Sequence, residues 1–133
     1  MYFISITRLR VRSWRFMPMF FFLTARSVRQ ARKAAGNIST RLLADRGNTF
    51  WTATAWTSDV AMRQFMLAGA HRQAMSKLAE WCDEASVAHW NQEQAELPTW
   101  REAWVRLRSE GRKSKVQHPS PAHLTLDFPE PRA

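Results

Sequence analysis

Three side chains in the second half of the chain have the chemical types that do work in proteins: His71, Cys82 and His89. An imidazole moves protons near neutral pH or ligates a metal, and a thiolate attacks electrophiles or binds soft metals. Spacing decides which of these roles are open. His71 and Cys82 stand eleven residues apart on what reads as one helix, ~16 Å at ~1.5 Å per residue, whereas ligands sit ~2 Å from a zinc ion. A metal site shared by His71, Cys82 and His89 is therefore not expected. The sequence holds no CxxC, HExxH, GxGxxG or P-loop pattern, and no two residues read as a general acid and base pair. Cys82 reads as a small core residue rather than a nucleophile. His71 falls in the first turn of its helix, at the edge of an apolar stripe, where the helix dipole favours the neutral imidazole. Two readings stay open for it: an edge histidine hydrogen-bonded to the preceding loop, or a group that binds a ligand in a pocket.

Periodicity supplies the elements that would carry these groups. "YFISITRLRV", Tyr2 to Val11, sets Tyr2, Ile4 and Ile6 against Phe3, Leu9 and Val11, the pattern of a strand buried on two faces. Ser13 is placed to cap a helix running to about Ala34, with Pro18 making its start irregular. Met17, Phe20, Thr24, Val28 and Ala31 form the inner stripe of that helix, and Arg26, Arg29 and Lys33 a basic flank. "GNISTRLLADRGNTFWTATAW" reads as a hairpin turning at Asp45-Arg46-Gly47. Ser58-Asp59 caps a short helix that Gly69 breaks, and a second amphipathic piece follows, with Ala74, Met75, Leu78, Trp81 and Cys82 on one face. Glu84 to Gln92 closes the pattern as a fourth strand.

The order β-α-β-β-α-β predicts an α+β, ferredoxin-like domain over residues 1–97: a four-stranded antiparallel sheet with helices on one face. Thr99 and Glu102 form a capping box that starts an appended amphipathic helix over 98–111, with Trp100, Ala103, Trp104 and Leu107 on one stripe and Gly111 at its end. Residues 112–133 read as an extended or partly disordered tail in which Leu124, Leu126 and Phe128 alternate as if to dock along a sheet edge. The sheet face without helices would be left open. Ile4, Ile6, Leu42, Trp51, Val87 and Trp90 do not suit full solvation on either parity, so a homodimer through that face is expected.

Length and composition agree with one folded domain. In 133 residues, 45% are hydrophobic, including seven Trp and eight Phe, enough for a core. One cysteine excludes an internal disulfide and fits a reducing, cytoplasmic setting. "RFMPMFFFLTA" behind a basic start imitates a signal peptide, but strand-like residues precede it and its apolar run is too short to cross a bilayer, so no membrane insertion is expected. The net charge of +9 is concentrated at the N-terminal end, where residues 1–50 hold ten Lys or Arg against the single acid Asp45. Such a field attracts anionic partners.

The runs "ITRLRVRSWRFMP", "FWTATAW" and "GAHRQAMSKLAEWCDEASVAHW" together resemble the dimeric α+β barrel superfamily of antibiotic-biosynthesis-type monooxygenases, and within it uncharacterised bacterial and spheroidene-monooxygenase-like members. The likeness covers roughly residues 2–92, and "PTWREAWVRLRSEG" is similar to the tail helix of a related family of unknown function. The resemblance implies a monooxygenase-like protein that binds an apolar or planar ligand between helices and sheet, with a non-catalytic ligand-binding or scaffold protein as the alternative. Haem-degrading relatives carry an asparagine, a tryptophan and an axial histidine where this chain has Thr7, Phe65 and His71. Only the histidine is kept, which points away from haem degradation and leaves haem open as a ligand. Thr7, Trp56, Phe65 and His71 are thus the candidate ligand-binding residues, and the aromatic groups "FMPMFFFL", Trp51, Trp56 and Phe65 line such a pocket or serve as plain core.

RNA binding is the rival from another class, because the RNA-recognition fold has the same element order and "RGNTFW" echoes its third-strand motif. Thr52 and Thr54 follow Phe50 where aromatics would be needed, and Arg8, Arg10 and Arg12 read as a generic basic stripe. Nucleic acid is not the expected partner.

Overall fold

The computed structural model describes residues 1–132, with Ala70 described through its backbone alone. Its centre is β1 (Tyr2–Val11), which lies between two antiparallel neighbours, β3 (Thr49–Trp56) and β4 (Cys82–Gln92), and is buried on both parities because both faces of the sheet are covered. β2 (Asn37–Asp45) pairs with β3 through a turn in which Gly47 and Asn48 take positive φ. The strand order is β2-β3-β1-β4, extended at the β4 edge by the two-residue β5 (Arg112–Lys113). The sheet is α+β and antiparallel as expected, but it has five strands rather than four.

The first helical region starts at Ser13, whose Oγ accepts from the Arg15 N–H and caps a short 3-10 turn over Trp14–Phe16. α1 (Met17–Lys33) follows with Pro18 in its first turn, where its missing N–H costs nothing. α2 (Asp59–Met66) is capped by Ser58, and α3 (Gly69–Trp81) begins at Gly69 with φ +55°. α1 and α3 lie on the sheet face formed by Leu9, Val11, Phe50 and their neighbours. Cys82 is the first residue of β4 rather than the end of the helix, so chain direction changes without a loop after Trp81.

The opposite sheet face is not open. α4 (Trp100–Glu110), capped by Thr99 Oγ1 accepting from the Glu102 N–H at 3.1 Å, lays Ala103 and Leu107 onto Ile4, Ile6, Trp51, Ala53 and Ala88. Leu97 and Phe128 complete this core. The expectation of helices on one face, with a second subunit covering the other, is corrected: two tryptophan-bearing turns of the chain's own α4 bury the apolar parity. Gly111 ends α4 because a Cβ there would strike the Leu107 carbonyl oxygen, while its φ is an ordinary −70°.

Residues 112–132 also depart from a simple extended tail. β5 pairs with Ser86 and Val87, and α5 (Pro121–Thr125) follows under a Ser120 cap. Leu126 and Phe128 pack on the sheet face rather than along its edge, and Leu124 is exposed. Two side chains pin this segment: His123 Nδ1 accepts the Ala85 N–H at 3.2 Å, and Ser120 Oγ donates to Glu84 at 2.8 Å. Glu84 also binds Arg8 and Arg10. Arg8 is buried, with its guanidinium 4.1 Å from the Phe128 ring centre. Within the basic stripe of β1 Arg8 is buried and ion-paired, whereas Arg10, also paired with Glu84, stays exposed and Arg12 donates to the Glu80 carbonyl. Among the described residues no helix is long and apolar enough to cross a membrane.

Candidate functional site

A cavity of about 470 Å³ lies between α1, α3 and the sheet. It exists because the sheet residues beneath the helices are short. Ser5 on β1 sits opposite Thr54 on one neighbour and His89 on the other, and Thr7 sits opposite Thr52 and Val87. These positions share one parity, so Ser5, Thr7, Thr52 and Thr54 present hydroxyl-bearing side chains where a core would normally place Leu or Ile. Leu23 and Val28 from α1, with Ala74 and Leu78 from α3, form the apolar roof. Arg112 and Lys115, beyond α4, add two cations to the lining.

Thr7, Trp56, Phe65 and His71 all line this one cavity, whereas Trp51, also a candidate lining aromatic, lies in the core beneath α4 on the opposite sheet face. The four lining residues come from β1, β3, α2 and α3. Trp56 and Phe65 rings are 5.3 Å apart, and Phe65 packs 4.5 Å from the His71 ring. The lining histidine on β4, His89, tilts against Phe3 at 5.2 Å.

Gln30 of α1 sets the position of His71. Its Oε1 accepts the His71 backbone N–H at 3.0 Å, while its Nε2 donates to the carbonyls of Ala68 and Phe65. One side chain thus clamps the end of α2 to the start of α3. Burial pushes the His71 pKa below the ordinary histidine value, more than the Met66 carbonyl raises it. The imidazole is neutral at neutral pH. Nδ1 lies 3.4 Å from the Met66 carbonyl oxygen, a long contact that suits the Nδ1–H tautomer and leaves the Nε2 lone pair free. The two readings of His71 are therefore compatible: it is tied to the segment before it, and it lines the cavity. Burial likewise lowers the His89 pKa, with the charges of Arg112 and Arg63 acting in the same direction.

Cys82 is fully buried beside Val11 and Met17, and burial with the adjacent Asp83 charge pushes its thiol up to about 12. It is a neutral core thiol. Among the described residues no three His, Cys, Asp or Glu side chains converge as a metal site. Sequence reading missed Ser5, Thr52, Thr54, Gln30, Arg112 and Lys115. Alternating hydroxyls in "FISIT" and "TATAW" are visible in the sequence, but their alignment across three strands is not. What the cavity offers chemically is an apolar slot for rings, hydroxyls to bind carbonyl or phenol oxygen, and two neutral imidazoles able to accept a proton.

Residues 24–125 match the sequence profile of the domain of unknown function DUF3291. The chain belongs to this family. No curated protein matches the sequence. Among solved structures, this DUF3291 chain is similar to SnoaB, described as a cofactor-independent oxygenase from Streptomyces nogalater. The identity is 17%, with 70% of this chain and 94% of that one covered and a TM-score of 0.58. Rv0793 from Mycobacterium tuberculosis aligns at 14% identity over 72% of this chain and 100% of its own, with a TM-score of 0.64. A structure described as an antibiotic biosynthesis monooxygenase aligns at 10% identity over 69% and 99%, with a TM-score of 0.61. At these identities the likeness shows the fold: the DUF3291 chain has the α+β fold of antibiotic-biosynthesis-monooxygenase-like proteins.

Proposed function

We propose that the protein binds an apolar, planar organic molecule in the cavity between helices and sheet and acts on it as a monooxygenase. The observation that carries this reading is the lining itself: neutral His71 and His89 beside a hydroxyl floor and an apolar roof. A neutral imidazole in such a site removes a proton from a phenol or from a carbon next to a carbonyl, and threonine hydroxyls hold the oxygen of the resulting enolate. That electron-rich anion can reduce dioxygen directly, without a resident cofactor. The overall change is a ring CH₂ and O₂ giving a ring C=O and H₂O, with the substrate as reductant. The fold shared with a protein described as a cofactor-independent oxygenase supports this chemistry by analogy.

Anthrone is a suitable probe. Dioxygen uptake with formation of anthraquinone, reduced at least tenfold in His71→Ala, is the expected result, since removing a general base typically costs ~10²–10⁴ in rate. Binding of the probe without turnover would select the non-catalytic ligand carrier instead, and no binding would end the proposal.

Haem is a second reading, carried by His71. His71, a neutral imidazole with Nδ1 at a backbone carbonyl, would hold the haem iron, and Arg112 and Lys115 would meet the haem carboxylates. Bound haem would supply an iron centre for oxygen chemistry. A Soret band on haem addition that disappears in His71→Ala would select it. A homodimer, in either reading, would pair through surfaces other than the α4-covered face or exchange α4 between copies.

A further inference from the structure

Among the described residues nothing covers the outward face of α1. Trp14, just before the helix, is 74% exposed, and Met19 and Phe22 are each more than half exposed, whereas Phe21 leans edge-on against Phe50 of β3. Their inward neighbours Met17, Phe20 and Leu23 are buried, so the outward aromatics are surplus to the core. Further along the helix the same face turns basic. Met19, Phe22, Arg26, Arg29 and Lys33 recur at three- and four-residue intervals and so share one stripe. The guanidinium of Arg26 lies 5.6 Å from the Phe22 ring centre, and those of Arg12 and Arg15 lie 4.9 and 4.7 Å from that of Phe16. No Asp or Glu precedes Asp45, so neither α1 nor most of β2 carries an acid to neutralise these cations.

We propose that this face docks on an anionic lipid bilayer. Trp14, Met19 and Phe22 enter the interfacial layer, and Arg15, Arg26, Arg29 and Lys33 meet the lipid phosphates. Aromatic and arginine side chains interleaved on one helix face suit an apolar boundary overlaid by negative charge. The helix lies on the membrane and does not cross it. A second copy of the chain fits less well, because a two-fold contact through this face would bring two acid-free arginine surfaces together. Single-stranded nucleic acid fits less well too, since its platforms are grooves that stack bases, whereas Met19 and Phe22 project from a convex helix.

Co-sedimentation of the full chain with phosphatidylcholine vesicles, with and without about one-third phosphatidylglycerol, tests the proposal. Binding to the anionic vesicles at least ~10-fold above the neutral ones is expected. Met19→Ser with Phe22→Ser should lower partition roughly tenfold through lost apolar transfer. Arg26→Gln with Arg29→Gln should lower it roughly fivefold per residue. Trp14→Ala, outside the helix, provides an aromatic variant that leaves α1 intact, and melting curves for each variant should overlay the parent. Parent protein left in the supernatant with anionic vesicles would overturn the proposal. So would a Met19→Ser, Phe22→Ser variant that pellets like the parent, or a single-stranded oligonucleotide that displaces the protein from vesicles regardless of those substitutions.

Discussion

Leu107→Ala tests whether α4 belongs to the monomer's core. Leu107 is fully buried, and its floor is three adjacent strands, with Ile4, Ile6, Trp51, Ala53 and Ala88 in the same cluster. Leucine-to-alanine changes in cores cost ~2–5 kcal/mol, the larger values arising where the surroundings cannot collapse into the space. A hydrogen-bonded sheet cannot move toward α4, and the alanines beneath Leu107 are too short to fill the gap, so a loss of about 4 kcal/mol is expected. At ~2.1 cal/mol/K per residue, a chain of this length unfolds with an entropy near 0.28 kcal/mol/K, so Tm should fall by about 14 °C. Val105→Ala, half exposed on the same helix, should change stability by less than ~0.5 kcal/mol. Urea unfolding followed by tryptophan fluorescence, with melts at two protein concentrations tenfold apart, measures both variants. A loss below ~1 kcal/mol for Leu107→Ala, or one that depends on protein concentration, would refute the placement of α4 on its own sheet.

Glu84→Ala should destabilise by roughly 3–5 kcal/mol, because it strands the buried Arg8 charge, and Arg8→Met with Glu84→Leu should recover most of that loss in the same urea assay. Stability should fall as pH drops. Burial lowers the pKa values of His71, His89 and His123, so the unfolded chain takes up protons first; their contribution is complete above ~6.5 and is lost as pH falls through the lowered folded values. Burial alone would raise Glu84, but hydrogen bonds from Arg8 and Ser120 and the nearby arginine charges hold it low, so its contribution disappears below ~4.3, while Asp83, raised by burial, acts in the opposite sense. A Tm independent of pH between 7 and 5 would contradict the histidine assignment. Thr99→Ala should cost about 1 kcal/mol through loss of the α4 cap, read as a shift in the urea midpoint with an unchanged slope.

The features legible in advance are those whose cause lies within a few residues. The caps at Ser13, Ser58 and Thr99, the irregular helix start at Pro18, the turn at Gly47 and the break at Gly69 all depend on local backbone geometry, and each stands where the sequence places it. The candidate residues Thr7, Trp56, Phe65 and His71 do line one cavity, although the family resemblance pointed to Thr7, Phe65 and His71, and aromatic composition, not spacing, to Trp56. Cys82 was misplaced on a helix because helix and strand meet there without a turn residue to mark the boundary.

What the sequence determines by itself is the period of each segment and the parity of its apolar residues, since both follow from bond geometry repeated every two or 3.6 residues. Which groups meet across those segments is a property of the tertiary structure. Ser5 faces His89 only through strand register, and Arg8 finds Glu84 across 76 residues, which draws one member of a generic basic stripe into a buried ion pair. The far sheet face had to be covered on grounds of hydrophobicity alone, but α4 and a second subunit offer the same kind of apolar surface. Only the packed chain decides between them: α4, tethered a few residues beyond β4, sits on that face, at far less entropic cost than recruiting a second molecule.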